Sequence, residues 1–365
     1  MTGLDYLIMN KHNIVVIWSP EVINLLEERQ IGGIAVQMYF WAQVFRDNGW
    51  EVYSLTYDNE KQKEGIHFKR QRNVKRINFI LEWWYAVKYI LSIKPDIIIY
   101  RGANRNLFPL AVVAKVFHKK LIFFGASDVN FEPDKEITAT GFNGKCYRRA
   151  IPMVSKIIVQ NQFQHDALLQ NYGRESLKLS NLWGNLKDDI KIEERYDVIW
   201  VANFRRLKRA EWVLEAAKNN PSYTFAIVGG PGEERYFEEI RSLAEGIPNV
   251  SFLGPKSFFE SNALIKNSRL LLCTSNFEGF PNTFLQAWFF KLPVISTVDP
   301  SEVIKMNELG KVITSIEELS QSIESVLIDT EYYERLRNNV KLYFLKNHSG
   351  KIKYEQLMKY VNELN

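Results

Sequence analysis

Short, almost wholly apolar runs alternate with helix-length segments along the whole chain, and this rhythm constrains the fold more than any other feature. Runs such as IIIY at 97–100 and LLLC at 270–273 show no polar alternation. A strand without a polar face belongs in a parallel sheet covered on both sides by helices. In the first half, strands are expected at residues 13–18, 52–56, 96–100, 121–124, 156–160 and 177–180. Helices are expected between them near 34–48, 78–93, 106–118 and 163–172. The second half repeats the style, with strands at 198–202, 223–228, 250–253, 270–274, 294–296 and 311–313. Its helices fit near 209–219, 233–245, 258–266, 283–290, 316–327 and 332–346. The expected fold class is α/β, two doubly wound Rossmann-like domains joined by the polar run GNLKDDIKIEER at 184–195. Such domains bind ligands at the C-terminal ends of their strands, so two of them facing one another would enclose a cleft.

A chain of 365 residues exceeds one ordinary core, which agrees with two domains. Hydrophobic residues at 46% and charged residues at 24% exclude a disordered or fibrous chain. Two cysteines, Cys146 and Cys273, cannot build a disulfide framework or a cysteine zinc site, and they suit a reducing compartment. His12, His67, His118, His165 and His348 are scattered without metal-ligand spacing, so no metal is expected. The opening MTGLDYLIMNKHN does not read as a signal peptide, and no run reaches the ~18 apolar residues of a membrane span. The expected location is cytoplasmic, with peripheral attachment to the inner face of a membrane as the variant of that reading.

The formal charge of +5 is unevenly placed. Residues 1–180 hold 24 Lys and Arg against 17 Asp and Glu, whereas residues 181–365 hold 23 against 25. A basic first half attracts anions. Its sharpest cluster is Lys69, Arg70, Arg72, Lys75 and Arg76, followed by an aromatic-rich helical segment with Trp83 and Trp84. One reading is a solvated loop leading into a core helix. The other is a cationic, aromatic interfacial helix that docks on an anionic membrane surface. No nucleic-acid motif occurs elsewhere, so nucleic acid is not an expected partner.

Four places carry chemistry. Gly32-Gly33 opens a helix after the first strand, where backbone N–H groups can approach an anion closely, although a plain turn explains the pair as well. Neither a GxGxxG fingerprint nor a GxxxxGK[ST] loop is present, which counts against dinucleotide dehydrogenases and P-loop ATPases. Arg205, Arg206, Lys208 and Arg209 follow the strand DVIWVAN at a helix start, where four cations repel one another and oppose the helix dipole; an anion such as a pyrophosphate would relieve this, and a solvated cap is the other reading. The next strand ends in Val228-Gly229-Gly230-Pro231-Gly232. Finally, 270–275 leads into NFEGFPNTFLQA at 276–287, where the turn 279–283 ends at another helix start beside Glu278.

On these residues the chain resembles a retaining, nucleotide-sugar-dependent glycosyltransferase of family 4 (glycosyl transferases group 1) with the GT-B fold. The resemblance runs from Gly32-Gly33 through Asn181, VANFRRLKRAEWVLEAA around Lys208, Gly229-Gly230 and NVSFLG at 249–254, to EGFPNTFLQA at 278–287. It implies an acceptor-side domain over 1–185, rejoined by a C-terminal helix at about 347–365, and a donor-binding domain over 186–346. It implies that Lys208, helped by Arg205, neutralises the donor diphosphate. The Gly279, Phe280, Pro281, Asn282 and Thr283 backbone would cradle the same phosphates, with Gly32 and Gly33 closing from the other domain. Glu278 would meet the transferred sugar, Gln286 the ribose, and Gly230 and the turn ending at Gly254 the rest of the nucleotide. Asp128 is the candidate to orient the acceptor hydroxyl, a helix cap being its other explanation.

The resemblance also implies no cofactor beyond a UDP- or GDP-sugar donor, and no D-x-D triplet occurs, consistent with metal-free transfer. Three positions depart from the family pattern: Gln286 replaces its second glutamate, Asn203 its arginine and Ser127 the histidine of a His-Asp pair. The function expected is sugar transfer from a nucleotide donor to a glycan or lipid-linked acceptor, in surface polysaccharide or glycoconjugate synthesis. The alternatives are a non-hydrolysing sugar-nucleotide epimerase and a non-catalytic sugar-nucleotide binder.

Overall fold

In a computed structural model of the chain, residues 13–29, 32–71, 79–133, 141–184, 192–278 and 280–363 are described. They form two compact units, Met1–Gly184 with Gly350–Asn365, and Asn185–Ser349.

The first unit runs β1 (Ile14–Ile17), α1 (Val22–Leu26), α2 (Gly33–Asp47), β2 (Glu51–Thr56), β3 (Lys61–Lys63), β4 (Ile66–Arg70), α3 (Phe79–Ile93) and β5 (Ile97–Arg101). It continues through α4 (Leu107–Val116), β6 (Lys120–Phe124), a 3-10 turn (Asp128–Phe131), α5 (Gly141–Ala150), β7 (Lys156–Val159), α6 (Gln162–Tyr172) and β8 (Leu177–Lys178). The strand order is β3-β4-β2-β1-β5-β6-β7-β8. Every described pairing is parallel except β3 with β4. Ile97, Ile98 and Ile99 of the central β5 are all buried, as a strand covered on both faces requires.

Helix α1, the β3–β4 hairpin and helix α5 were absent from the sequence reading. Lys69 and Arg70 close strand β4 rather than lying in a loop. The β3–β4 hairpin turns at Glu64 and Gly65, whose φ angles of 51° and 73° are those of a two-residue turn matched to strand twist. Helix α5 forms despite Gly141 and Gly144 because packing outweighs propensity: Tyr147 is fully buried and its hydroxyl donates to the Asn130 carbonyl at 3.0 Å.

The second unit runs β9 (Tyr196–Val201), a 3-10 turn (Arg206–Lys208), α7 (Ala210–Asn219), β10 (Phe225–Val228), α8 (Glu234–Glu245), β11 (Val250–Gly254), α9 (Phe258–Lys266) and β12 (Ser268–Cys273). Then come α10 (Asn282–Phe289), β13 (Val294–Ser296), α11 (Val303–Met306), β14 (Gly310–Val312), α12 (Ile316–Leu327) and α13 (Thr330–Asn347). Its strand order is β11-β10-β9-β12-β13-β14, parallel throughout. Trp200, Phe204, Phe225 and Leu272 belong to its buried core. Both units are therefore doubly wound α/β folds.

The final helix, α14 (Gly350–Asn362), packs on α2 of the first unit. This contact explains why α2 is buried almost all round, from Ala35 to Phe45. Trp50 Nε1 donates to the Tyr354 hydroxyl at 2.7 Å, and the Tyr354 ring meets Phe45 edge to face. The same helix buries Lys353, whose ammonium donates to Ser180 Oγ at 2.9 Å. Burial pulls that ammonium down to about 8, against about 10.4 for an unfolded lysine. Between those values the unfolded chain holds the proton and the folded chain does not, so stability rises with pH from about 8 upward. Lys353→Met is expected to raise stability at pH 7 and to remove that rise. Urea unfolding at pH 7, 8.5 and 9.5 checks it; an unchanged slope would mean that Lys353 does not titrate there.

Candidate functional site

In the second unit the chain leaves β9 toward β10 on one side and returns to β12 on the other. The loops after β9 and β12 therefore diverge, and the crevice between them is where doubly wound sheets take ligands. A cavity of about 340 Å³ lies there. Trp200, Asn203, Arg205 and Lys208 line it from the β9 side. Cys273, Ser275 and Glu278 line it from the β12 side, together with Phe280, Pro281, Asn282 and Thr283 at the start of α10. Pro281 stands at the N-cap of α10 without a side-chain cap, so the start of that helix borders the cavity.

The four cations after β9 divide into two pairs. Arg205 and Lys208 line the cavity. Arg206 turns outward, donates to Glu239 at 2.8 Å and lies over the Tyr236 ring. Arg209 is a brace: its Nε donates to the Thr274 carbonyl at 2.6 Å and its guanidinium lies 3.9 Å from the Trp212 ring centroid. Burial lowers the Arg209 guanidinium below its ordinary range. The mutual repulsion expected of four clustered cations is thus relieved by their side chains pointing apart. Lys208 itself is paired with Glu278, whose Oε1 also accepts from Ser275 Oγ at 3.0 Å. Thr274 ties the two loops together, accepting from Trp200 Nε1 at 3.0 Å and donating to the Lys208 carbonyl at 2.6 Å.

The glycine turn after β10 makes room for these groups. A Cβ on Gly229 would stand 1.8 Å from the Ala202 carbonyl oxygen, and one on Gly232 would stand 2.7 Å from Arg205 Cγ. Gly230 and Gly254 lie close by, bridged by Gly229 N–H donating to the Gly254 carbonyl, but neither lines the cavity. Gln286 also stands apart: it is buried further along α10 and is not a lining residue. Phe252 packs against Phe204 and Phe237 in the core. Gly279 lies outside the described residues. Trp200, Ser275 and Thr274 were missed by the sequence reading, because a residue at a strand end carries no motif of its own. Cys273 is buried and its thiol is pushed up by that burial, which fits packing rather than reactivity.

In the first unit, Gly33 begins α2 with Gly32 at its N-cap. Asp128 opens the 3-10 turn after β6, and its Oδ1 accepts from Asn161 Nδ2 at 2.8 Å and Gln164 Nε2 at 2.9 Å. The residue at the cap is Ser127, so capping does not explain Asp128. Arg101, at the end of β5, was not singled out from the sequence. It donates to Asn181 at 2.8 Å, and burial lowers its guanidinium to about 10.

The two candidate interfacial tryptophans differ. Trp83 turns inward against Phe108, whereas Trp84 is 52% exposed, with Ile80 and Leu91 also exposed on α3. Lys88 lies over the Trp84 ring. Lys69 reaches Glu60 at 3.3 Å, so part of the cluster's charge is offset in space, while Arg72, Lys75 and Arg76 lie outside the described residues.

Residues 185–343 match the family model described as Glycosyl transferases group 1. The second unit thus resembles a group 1 glycosyl transferase domain over nearly its whole length. A curated relative, "Glycosyltransferase 1 domain-containing protein 1" of Xenopus tropicalis, is 24% identical over 196 residues, 52% of this chain and 53% of its own length. The match thus spans about half the length of that relative. The crystal structure of the pneumococcal O-GlcNAc transferase GtfA, in complex with UDP and GlcNAc, superposes with a TM-score of 0.65 at 12% identity, covering 97% of this chain and 99% of that one. The UDP-GlcNAc 2-epimerase from Neisseria meningitidis, bound to UDP-GlcNAc, does so with 0.62 at 14% identity, covering 95% and 100%. At these identities the likeness is one of fold, and the fold is GT-B.

The division among the cations is testable by stability alone. Arg209→Ala leaves the Thr274 carbonyl short of a donor and is expected to cost about 1–3 kcal/mol, whereas Arg206→Ala, at an exposed pair, should leave the unfolding transition unmoved. Denaturant midpoints of the two variants check this. Equal midpoints would remove the bracing role.

Proposed function

We propose that the chain is a glycosyltransferase that moves a sugar from a nucleoside-diphosphate donor to a glycan or lipid-linked acceptor with retention of anomeric configuration, as family 4 enzymes do, in surface polysaccharide or glycoconjugate synthesis. The observation that carries this is the convergence of Arg205, Lys208 and an uncapped helix start on one cavity inside a group 1 domain. A nucleoside diphosphate departs with its negative charge, and preorganised cations and N–H groups stabilise that charge. A donor diphosphate would take the Lys208 ammonium from Glu278 and leave the carboxylate to the transferred sugar. The UDP and UDP-GlcNAc held by the two solved neighbours favour a UDP-sugar over a GDP-sugar here.

Gly32 supports a phosphate approach from its own unit. A Cβ there meets no atom of the described residues within 4 Å, and its φ of −105° suits any residue, so neither described packing nor backbone demands glycine. Asp128, oriented through one carboxylate oxygen by Asn161 and Gln164, is the candidate for the acceptor hydroxyl. Retention rests on the resemblance of the Lys208 segment and of EGFPNTFLQA to the retaining family. Epimerisation is the second reading, because an epimerase shares the fold. It is disfavoured because Glu278 is the one carboxylate among the described lining residues, whereas epimerisation needs acids on both sides of the sugar.

Incubation with UDP-, GDP- and dTDP-sugars, reading nucleotide release, product mass and anomeric configuration, is expected to show transfer or slow hydrolysis. Interconverted sugar nucleotides would establish the epimerase, and binding without turnover the non-catalytic binder. Glu278→Gln should lower turnover about 100-fold or more with the fold intact, and Lys208→Ala should weaken UDP binding as well as rate. Activity is expected to persist in excess EDTA, since among the described residues no group of three His, Cys, Asp or Glu side chains is placed to hold a metal.

We further propose that the first unit docks on anionic membrane through the Lys69–Arg76 segment and the exposed face of α3. No described helix is long and apolar enough to cross a membrane, and Ile80, Trp84, Lys88 and Leu91 share one face of α3. Near the surface each basic residue contributes about 1 kcal/mol, screened by salt. Co-sedimentation with phosphatidylglycerol vesicles should fall with salt and should drop in Trp84→Ser but not in Trp83→Phe. Equal sedimentation of wild type and Trp84→Ser would remove α3 from the contact.

A further inference from the structure

The first unit carries a second concavity, of about 410 Å³, at the N-terminal edge of its sheet, the edge away from Gly32 and Asp128. Lys120 and Lys156, the first residues of the adjacent parallel strands β6 and β7, enter its lining. Lys115, in the last turn of α4, and His118 and Lys119, in the turn that follows, complete the basic wall. Glu363 is the one carboxylate among the described lining residues.

Two of the four lysines have an internal explanation. Lys120 donates to the Val361 carbonyl and Lys156 to the Glu363 carbonyl, each at 3.3 Å, and Lys156 lies 4.6 Å from the Tyr360 ring centroid. They serve the C-terminal end of α14, where orphan carbonyls and the helix dipole favour cations. That explanation does not reach Lys115 and Lys119, which line the same hollow and are not bonded to the end of α14 by any described contact. His118 holds a φ of +52° at the end of α4, where its N–H donates to the Lys115 carbonyl and that of Lys119 to the Ala114 carbonyl, and this turn carries Lys119 to the edge of the hollow.

We infer that this concavity is a binding site for a phosphate-class polyanion. Four ammonium groups around one hollow raise the local potential and are best matched by an anion with two or more charges. The volume is that of a small-ligand site. Inorganic pyrophosphate and clustered phospholipid headgroups present the same chemistry, so the test separates them. The inference does not depend on the proposed transfer reaction.

The test uses the full chain with Lys208→Ala, so that binding at the cavity of the second unit does not mask the signal. Isothermal titration with inorganic pyrophosphate is expected to show binding that weakens at least about tenfold, roughly 1.4 kcal/mol, when Lys115→Ser and Lys119→Ser are added. The arginine pair, Lys115→Arg with Lys119→Arg, should retain it and so exclude unfolding as the cause. If pyrophosphate does not bind but sedimentation with phosphatidylglycerol vesicles falls in the serine pair and recovers in the arginine pair, the anion is a lipid headgroup. Pyrophosphate and vesicle binding both indifferent to these lysines would overturn the inference.

Discussion

A strand that is apolar along its whole length has no face to offer water, and that single constraint organises both units. IIIY and LLLC can be buried only in parallel sheets covered on both sides, and parallel neighbours can be joined only by crossovers. Right-handed crossovers that start in opposite directions from one central strand leave a gap where the direction changes. In the second unit that gap lies between β9 and β12, and the cavity opens there. The position of the site is thus a consequence of how hydrophobic strands are covered, before any polar residue is considered.

The polar chemistry is then fitted to the gap by unequal use of similar residues. Arg209 spends its hydrogen-bonding capacity on backbone carbonyls and its flat face on Trp212. This holds the loop after β9 against the end of β12, and Thr274 repeats the tie from the other side. Only with that loop fixed can Lys208 stand opposite Glu278. Gly229 and Gly232 act through missing volume, allowing Ala202 and Arg205 to lie where any side chain would exclude them. A partly buried ion pair is a poor source of stability, so the Lys208–Glu278 pair is better understood as two groups kept aligned for another task.

Much of this was legible in the sequence because strand and helix periodicities are strong where burial is complete. The sheets, the crossovers and the glycine-rich strand ends all followed from pattern. The β3–β4 hairpin was missed because its strands, KQK and IHFKR, lie toward an edge and carry charge, so no apolar run marks them. Its turn did have a signal in Glu64-Gly65, which the surrounding lysines obscured. Helix α5 was missed because two glycines lower its propensity and only tertiary contacts restore it. The family resemblance implied Gln286 near the donor, whereas its side chain is buried along α10. Which of four adjacent cations faces a cavity is also decided by packing, and no linear pattern encodes it.

The excess positive charge of the first half resolves in the same way, into separate uses. Arg101 is half-buried at the C-terminal end of β5 and held by Asn181. Lys353 is buried under α14 against Ser180, one residue earlier, so two cations from distant elements flank the same short segment. Burying charge without a carboxylate is costly, and the depressed ionisation of both groups reflects it. Lys120 and Lys156 fasten the other end of α14. The last helix is therefore joined to its unit by cations at both ends and by aromatic packing between them. A sequence-level sum of +7 conceals this, because part of that charge also pins a helix in place. What remains on the surface is local: the end of β4 beside α3, and the hollow below β6 and β7.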